Sequence, residues 1–172
     1  MALPYQNATS GQRAMEDVQK ILRGFGCTRF ATGEDFETGD VFIQFEHRGR
    51  PVSLKASSRG YAAAWLKENP WNHRRKGTKA QHEAKALKIG GIAVYSILRD
   101  WVKGQVTAIE IGILSFESAF LSHIMLPNGR RVIEEVEARG LLPAPDDENG
   151  ETQCKGLTSR KAKSDAERSG QP

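Results

Sequence analysis

The chain has 172 residues, 38% of them hydrophobic and 27% charged, with a formal net charge of +4 and two cysteines. That length supports one domain with a real core and does not demand two. Cys27 and Cys154 stand at no zinc or redox spacing, and no stretch reaches the ~18 apolar residues of a membrane-crossing helix, so a cytoplasmic protein without a disulfide framework is expected.

Residues 1–9 show no periodic pattern and are expected to be disordered. Ser10 is a candidate N-cap for an amphipathic helix, because Met15, Val18, Ile21, Leu22 and Phe25 recur at three- and four-residue steps before Gly24 and Gly26 end the run. The period then changes. Thr28 to Ala31 is β-compatible, 33–40 reads as an acidic loop, and Val41 to Glu46 is rich in β-branched and aromatic residues. His47-Arg48-Gly49-Arg50 is a tight-turn signal, and Val52, Leu54 and Ala56 alternate with polar residues after it. A hairpin over about 41–57 follows, with Pro51 suited to the start of an edge strand.

Ser57 or Ser58 caps a short alanine-rich helix that Pro70 stops. Thr78 opens the spine of the fold, a helix expected over 78–113. Its expected apolar face includes Leu87, Gly91, Val94, Leu98, Val102 and Val106, with Ser96 on the polar side. Gly90, Gly91 and Gly104 inside it point to a kink or a close crossing. A short helix over 116–124, a turn at Pro127-Asn128-Gly129 and a last helix over 131–139 complete the order. From 143 to 172 apolar residues almost vanish, and a disordered polar tail is expected. The fold class is therefore α+β: one domain over 10–142, with an N-terminal helix, a small antiparallel sheet and a mainly helical C-terminal half.

Charge is unevenly placed. From Arg48 to Lys88 eleven cations face only Glu68 and Glu83, a net of +9 in a chain whose total is +4. Such a segment points to a polyanion, most simply nucleic acid bound through its phosphates. The expected contacts are Arg48, Arg50, Lys55, Arg59, Arg74, Arg75, Lys76 and Lys79, with Trp71 beside them as a stacking side chain. The competing reading is a solvated loop, with Trp65 in the core. His73 and His82 have no further ligand at metal spacing, so no metal site and no cofactor are expected there. Motifs for acyl transfer, nucleotide hydrolysis and dinucleotide binding are absent, which leans against an enzyme.

The order helix, Asp40, Ser53-Leu54-Lys55, helix resembles the opening of the PD-(D/E)XK nuclease-like core. That resemblance implies a catalytic alternative in which Asp40, with Glu46 or Glu16 as the substitute second acid, holds Mg2+ or Mn2+ and Lys55 helps to orient the attacking water. Ser53 departs from it, standing where a second carboxylate belongs, and the helical second half lacks the further strand that core requires. The stretch EHRGRPVSLKASSRGYAAAWLKENPW, with GGIAVYSILRDWVKGQVTAIEIGILSFESAFLSHIMLPNG, resembles uncharacterised small proteins of proteobacterial phages and prophages over roughly residues 40 to 130. This resemblance implies a phage-encoded setting in a host cytoplasm, where the partner is DNA or a host or phage protein; a third reading, beside nucleic-acid binding and the nuclease alternative, is a protein-interaction module that inhibits a host factor. Self-association through the 78–113 helix is a further expectation.

Overall fold

The structure is a computed structural model, and it describes residues 2–72, 74 and 77–143. The expected tail beyond 143 lies outside those residues, as do His73, Arg75 and Lys76. The elements run α1 (Gly11–Gly24), β1 (Arg29–Asp35), β2 (Asp40–His47), β3 (Arg50–Ser57), α2 (Ser58–Glu68), α3 (Lys79–Glu110), α4 (Phe116–Phe120), a 3-10 turn (Leu121–His123) and α5 (Val132–Ala138). The three strands form an antiparallel meander in the order β1-β2-β3, so the α+β class holds. Among the described residues no helix is long and apolar enough to cross a membrane.

Local chemistry sets the boundaries. Ser10 accepts from the Arg13 amide to cap α1, Ser57 accepts from Gly60 to cap α2, and Thr78 with Gln81 forms a capping box on α3. Between β2 and β3 the turn is made by Arg48 at φ 50° and Gly49 at φ 75°, both in the left-handed region that a two-residue hairpin demands. β1 runs through Gly33, Glu34 and Asp35, which sequence assigns to a loop. The reason is cross-strand: these three pair with Phe42, Val41 and Asp40, and the Phe42 ring lies where a β-carbon of residue 33 would stand.

Strand alternation gives the sheet two unlike faces. Val41, Ile43 and Phe45 of β2 and Val52 and Leu54 of β3 are buried on one of them. Val18 and Leu22 of α1, Val94, Leu98, Val102 and Val106 of α3, and Phe116 and Phe120 cover that face. Each large side chain so buried contributes roughly 1.5–3 kcal/mol. The other face carries Asp40, Phe42, Gln44 and Glu46 opposite Ser57, Lys55, Ser53 and Pro51.

A second, smaller cluster of Ala62, Trp65 and Ala86 binds α2 to the first turns of α3. Gly90 makes this crossing close, since a β-carbon there would sit 2.5 Å from the Ser58 carbonyl oxygen. Because α2 packs on Ala86 and Gly90, the buried stripe rotates away from the expected one: Leu87 is 49% exposed and Ser96 is buried. Trp65 is a core residue. In place of the expected helix end at 121–124, Ile124 bridges to Val52, and the Met125 amide donates to the Pro51 carbonyl along the free edge of β3. Residues 2–9 form no helix or strand, yet they are tied down, with Tyr5 donating to Asp100 and Tyr61 to the Pro4 carbonyl.

Candidate functional site

The cations singled out in the sequence fall into three places. Arg48 and Arg50 sit at the tip of the β2–β3 hairpin. Lys55 and Arg59 sit at the other end of β3 and the start of α2. Arg74 and Lys79 sit at the far end of the α2–α3 pair, with the half-buried Trp71 in the same connection.

These do not make one surface. Gly90 of α3 meets Ser58, just past the end of β3, so at ~1.5 Å per residue the turns 79–89 extend about 16 Å beyond the sheet. β3 itself, at ~3.3 Å per residue, carries the chain about 25 Å the other way to the hairpin tip. The 74–79 group and the 48–50 group are therefore separated by up to about 40 Å. Arg50 and Lys55 are also five residues apart on one strand, and alternation turns them to opposite faces.

Ion pairing sorts them further. Arg50 is bound to Glu117, and the Lys55 ammonium lies 2.8 Å from the Asp40 carboxylate. Lys79 meets Glu83 only at 3.8 Å, on an exposed helix face where such a pair is weak. The Arg59 side chain lies across Gly39. By contrast, Arg48 at the hairpin tip and Lys67, Arg74, Lys85 and Lys88 at the α2–α3 end are exposed and make no ion pair among the described residues. Of the four at the α2–α3 end only Arg74 is among the expected contacts; Lys67, Lys85 and Lys88 belong to the +9 segment, with Lys85 and Lys88 continuing the row of cations along the first turns of α3. Helical geometry was the available signal, because Lys85 and Lys88 share one face at i, i+3.

The residues of the nuclease-like alternative separate. Asp40 and Lys55 converge, and the Lys55 hydrogen bond, with help from Thr38, holds the Asp40 carboxyl below its ordinary range. Glu46 lies at the opposite end of β2, 3.5 Å from Arg29. Asp35 joins Asp40 across the strands, but its Oδ1 accepts the Glu37 and Thr38 amides and closes the β1–β2 turn. Ser53, in the second carboxylate's place, offers only a hydroxyl. A hard divalent cation takes several oxygen ligands at close range. Among the described residues no group of three His, Cys, Asp or Glu side chains is placed to hold a metal, and this donor set does not fit one.

The three described histidines have structural partners. His82 Nε2 lies 2.7 Å from the Asn69 carbonyl with its ring against Trp65, His47 stacks on Phe25, and His123 stands edge-on to Trp101. Comparison with models of protein families, with curated proteins and with solved structures finds no match. The functional reading therefore rests on the charge and geometry of this chain alone.

Proposed function

We propose that the chain is a non-catalytic nucleic-acid-binding accessory protein of a phage-type setting in a host cytoplasm, and that its phosphate-binding surface is the overhanging end of α2 and α3. The observation that carries this reading is that Lys67, Arg74, Lys85 and Lys88 at that end are exposed and make no ion pair among the described residues. From residue 67 to 88 the sequence supplies seven cations, Arg75 and Lys76 among them, against Glu68 and Glu83. Phosphate neutralised by such side chains releases condensed counterions, which gives favourable, salt-dependent binding without reading of bases. The sheet cations contribute less, because Arg50 and Lys55 are already satisfied by Glu117 and Asp40.

The test is retention of duplex and single-stranded DNA by the full chain at rising salt. Arg74→Ala, Lys85→Ala and Lys88→Ala together are expected to weaken retention strongly and to lower the salt slope by about one for each phosphate no longer neutralised. Arg48→Ala with Arg50→Ala is expected to leave both nearly unchanged. No retention at low salt, or retention that ignores the triple substitution, overturns the proposal.

A further inference from the structure

The sheet has two outer edges, and the fold treats them differently. The β3 edge carries Pro51 and is covered by the 124–125 segment, which bridges to Val52 and donates the Met125 amide to the Pro51 carbonyl. Nothing comparable lies along β1 among the described residues. In a two-residue hairpin the residues flanking the turn exchange both hydrogen bonds, so His47 and Arg50 do. Alternation along β2 then aims the backbone groups of Asp40, Phe42, Gln44 and Glu46 at β1, where Asp35, Gly33, Ala31 and Arg29 meet them. Phe30, Thr32 and Glu34 consequently point their N–H and C=O groups away from the sheet, and among the described residues these groups make no backbone hydrogen bond.

An edge of this kind is a template for another strand, and proteins that must stay single guard it with proline, lysine or a covering segment. Arg29–Asp35 contains neither proline nor lysine. The helical layer also stops short of it: Thr32 and Glu34 lie on the inner face with their partners Ile43 and Val41, yet both are exposed.

The strand sequence, RFATGED, selects the occupant. Laid antiparallel on a second copy about Thr32, it sets Phe30 opposite Glu34 of the partner subunit and Thr32 opposite its own equivalent, which pairs every outward backbone group of both strands. The same register brings Arg29 opposite Asp35 of the partner subunit, twice by symmetry, at the closer spacing of a non-hydrogen-bonded pair. A slide of two residues either way loses both charge pairs, and a parallel arrangement sets like charge against like. The Arg29 side chain is 81% exposed and 3.5 Å from Glu46, so it can bridge that carboxylate and the incoming one.

From this geometry we infer that the β1 edge is the interface of a two-fold dimer, in which a second copy of the chain extends the three-stranded sheet to six antiparallel strands. The inference does not depend on phosphate binding, and it places self-association on the sheet edge and not on α3.

The experiment is sedimentation velocity of the full chain over a range of concentrations, with amide hydrogen exchange followed at the same concentrations. Expected are a mass that approaches twice that of the chain and exchange at Phe30, Thr32 and Glu34 that slows as concentration rises. Thr32→Pro removes the central N–H, which faces away from β2, so the monomer keeps its own ladder and the dimer is lost. Arg29→Glu, at an exposed position, sets acid against acid at both ends of the interface and is expected to weaken association about tenfold. If circular dichroism shows that Thr32→Pro does not fold, Arg29→Glu and the exchange pattern decide. A chain that stays monomeric, a dimer that a folded Thr32→Pro leaves intact, a dimer indifferent to Arg29→Glu, or exchange at the three amides that ignores concentration overturns the assignment. Failure of DNA retention with the dimer intact removes the phosphate reading alone, and the reverse result removes the dimer alone.

Discussion

His47 ends β2 with its imidazole stacked 4.3 Å from the Phe25 ring and tilted against Phe116 at 5.0 Å. Burial, reinforced by the neighbouring Arg48 cation, lowers its pKa, and burial beside Arg131 lowers that of His123. The native chain therefore holds these protons less tightly than the unfolded chain, where histidine titrates near ~6.5. Above that pH both states are neutral and nothing is lost. As pH falls through the unfolded value towards the native one, the unfolded state gains protons first and stability drops. The carboxylates whose pKa values are lowered, Asp40, Asp100, Glu134 and Glu135, act in a separate window, losing their contribution only as pH falls below about 4.5. Thermal melts from pH 7.5 to 5 should show a falling Tm, and His47→Phe, which stacks without taking a proton, should flatten the fall. Parallel slopes in the two proteins would remove His47 from this account. Phe120 is a simpler case. It is fully buried, edge-on to Phe45 and Trp101, and Phe120→Ala should cost about 3–5 kcal/mol in denaturant unfolding.

Two adjacent glycines show what can and cannot be extracted from sequence at the level of an element. Gly90-Gly91 inside a helical period announces a close approach or a kink, but not which residue needs to be glycine. At Gly90 an added β-carbon meets the Ser58 carbonyl at 2.5 Å and the Ala62 side chain at 3.3 Å; at Gly91 nothing lies within 4 Å. Gly90→Ala should therefore push α2 from α3 and cost about 1–3 kcal/mol. Gly91→Ala should stabilise by up to about 1 kcal/mol through helix propensity alone. Urea midpoints for the two variants moving the same way would contradict the close crossing. Caps and periods make most elements legible, because Ser10, Ser57, Thr78 and Ser115 all cap where their side chains permit. β1 is longer than its residues announce, because the last of them are strand only through pairing with β2, a non-local cause. In the candidate site, Asp40 beside Lys55 could be foreseen from hairpin register. So could the distance of Glu46, six residues and roughly 20 Å along the same strand.

At the scale of the molecule, a net charge says little until it is placed. The +9 segment spans a hairpin tip, a sheet end and a helical overhang, and the fold distributes its cations among carboxylates unequally. Arg50 and Lys55 are neutralised by Glu117 and Asp40, whereas Arg48 at the hairpin tip makes no ion pair among the described residues, so the acidic remainder acts locally and not as a uniform background. At the overhang Lys79 has Glu83 within 3.8 Å, but Lys67, Arg74, Lys85 and Lys88 make no ion pair among the described residues, because α2 and α3 pack mainly on each other there. A surface of this kind should engage about three to five phosphates. With a slope near −0.9 per phosphate on duplex DNA, affinity should fall by roughly 40- to 500-fold between 50 and 200 mM salt. Charge reversal separates this surface from the rest of the molecule: Lys85→Glu with Lys88→Glu should flatten the slope by about two, whereas Arg48→Glu with Arg50→Glu should leave it within error. Equal flattening by both pairs would mean that the hairpin tip and the overhang act together on one polyanion, which their separation of up to about 40 Å allows only for a long or bent duplex.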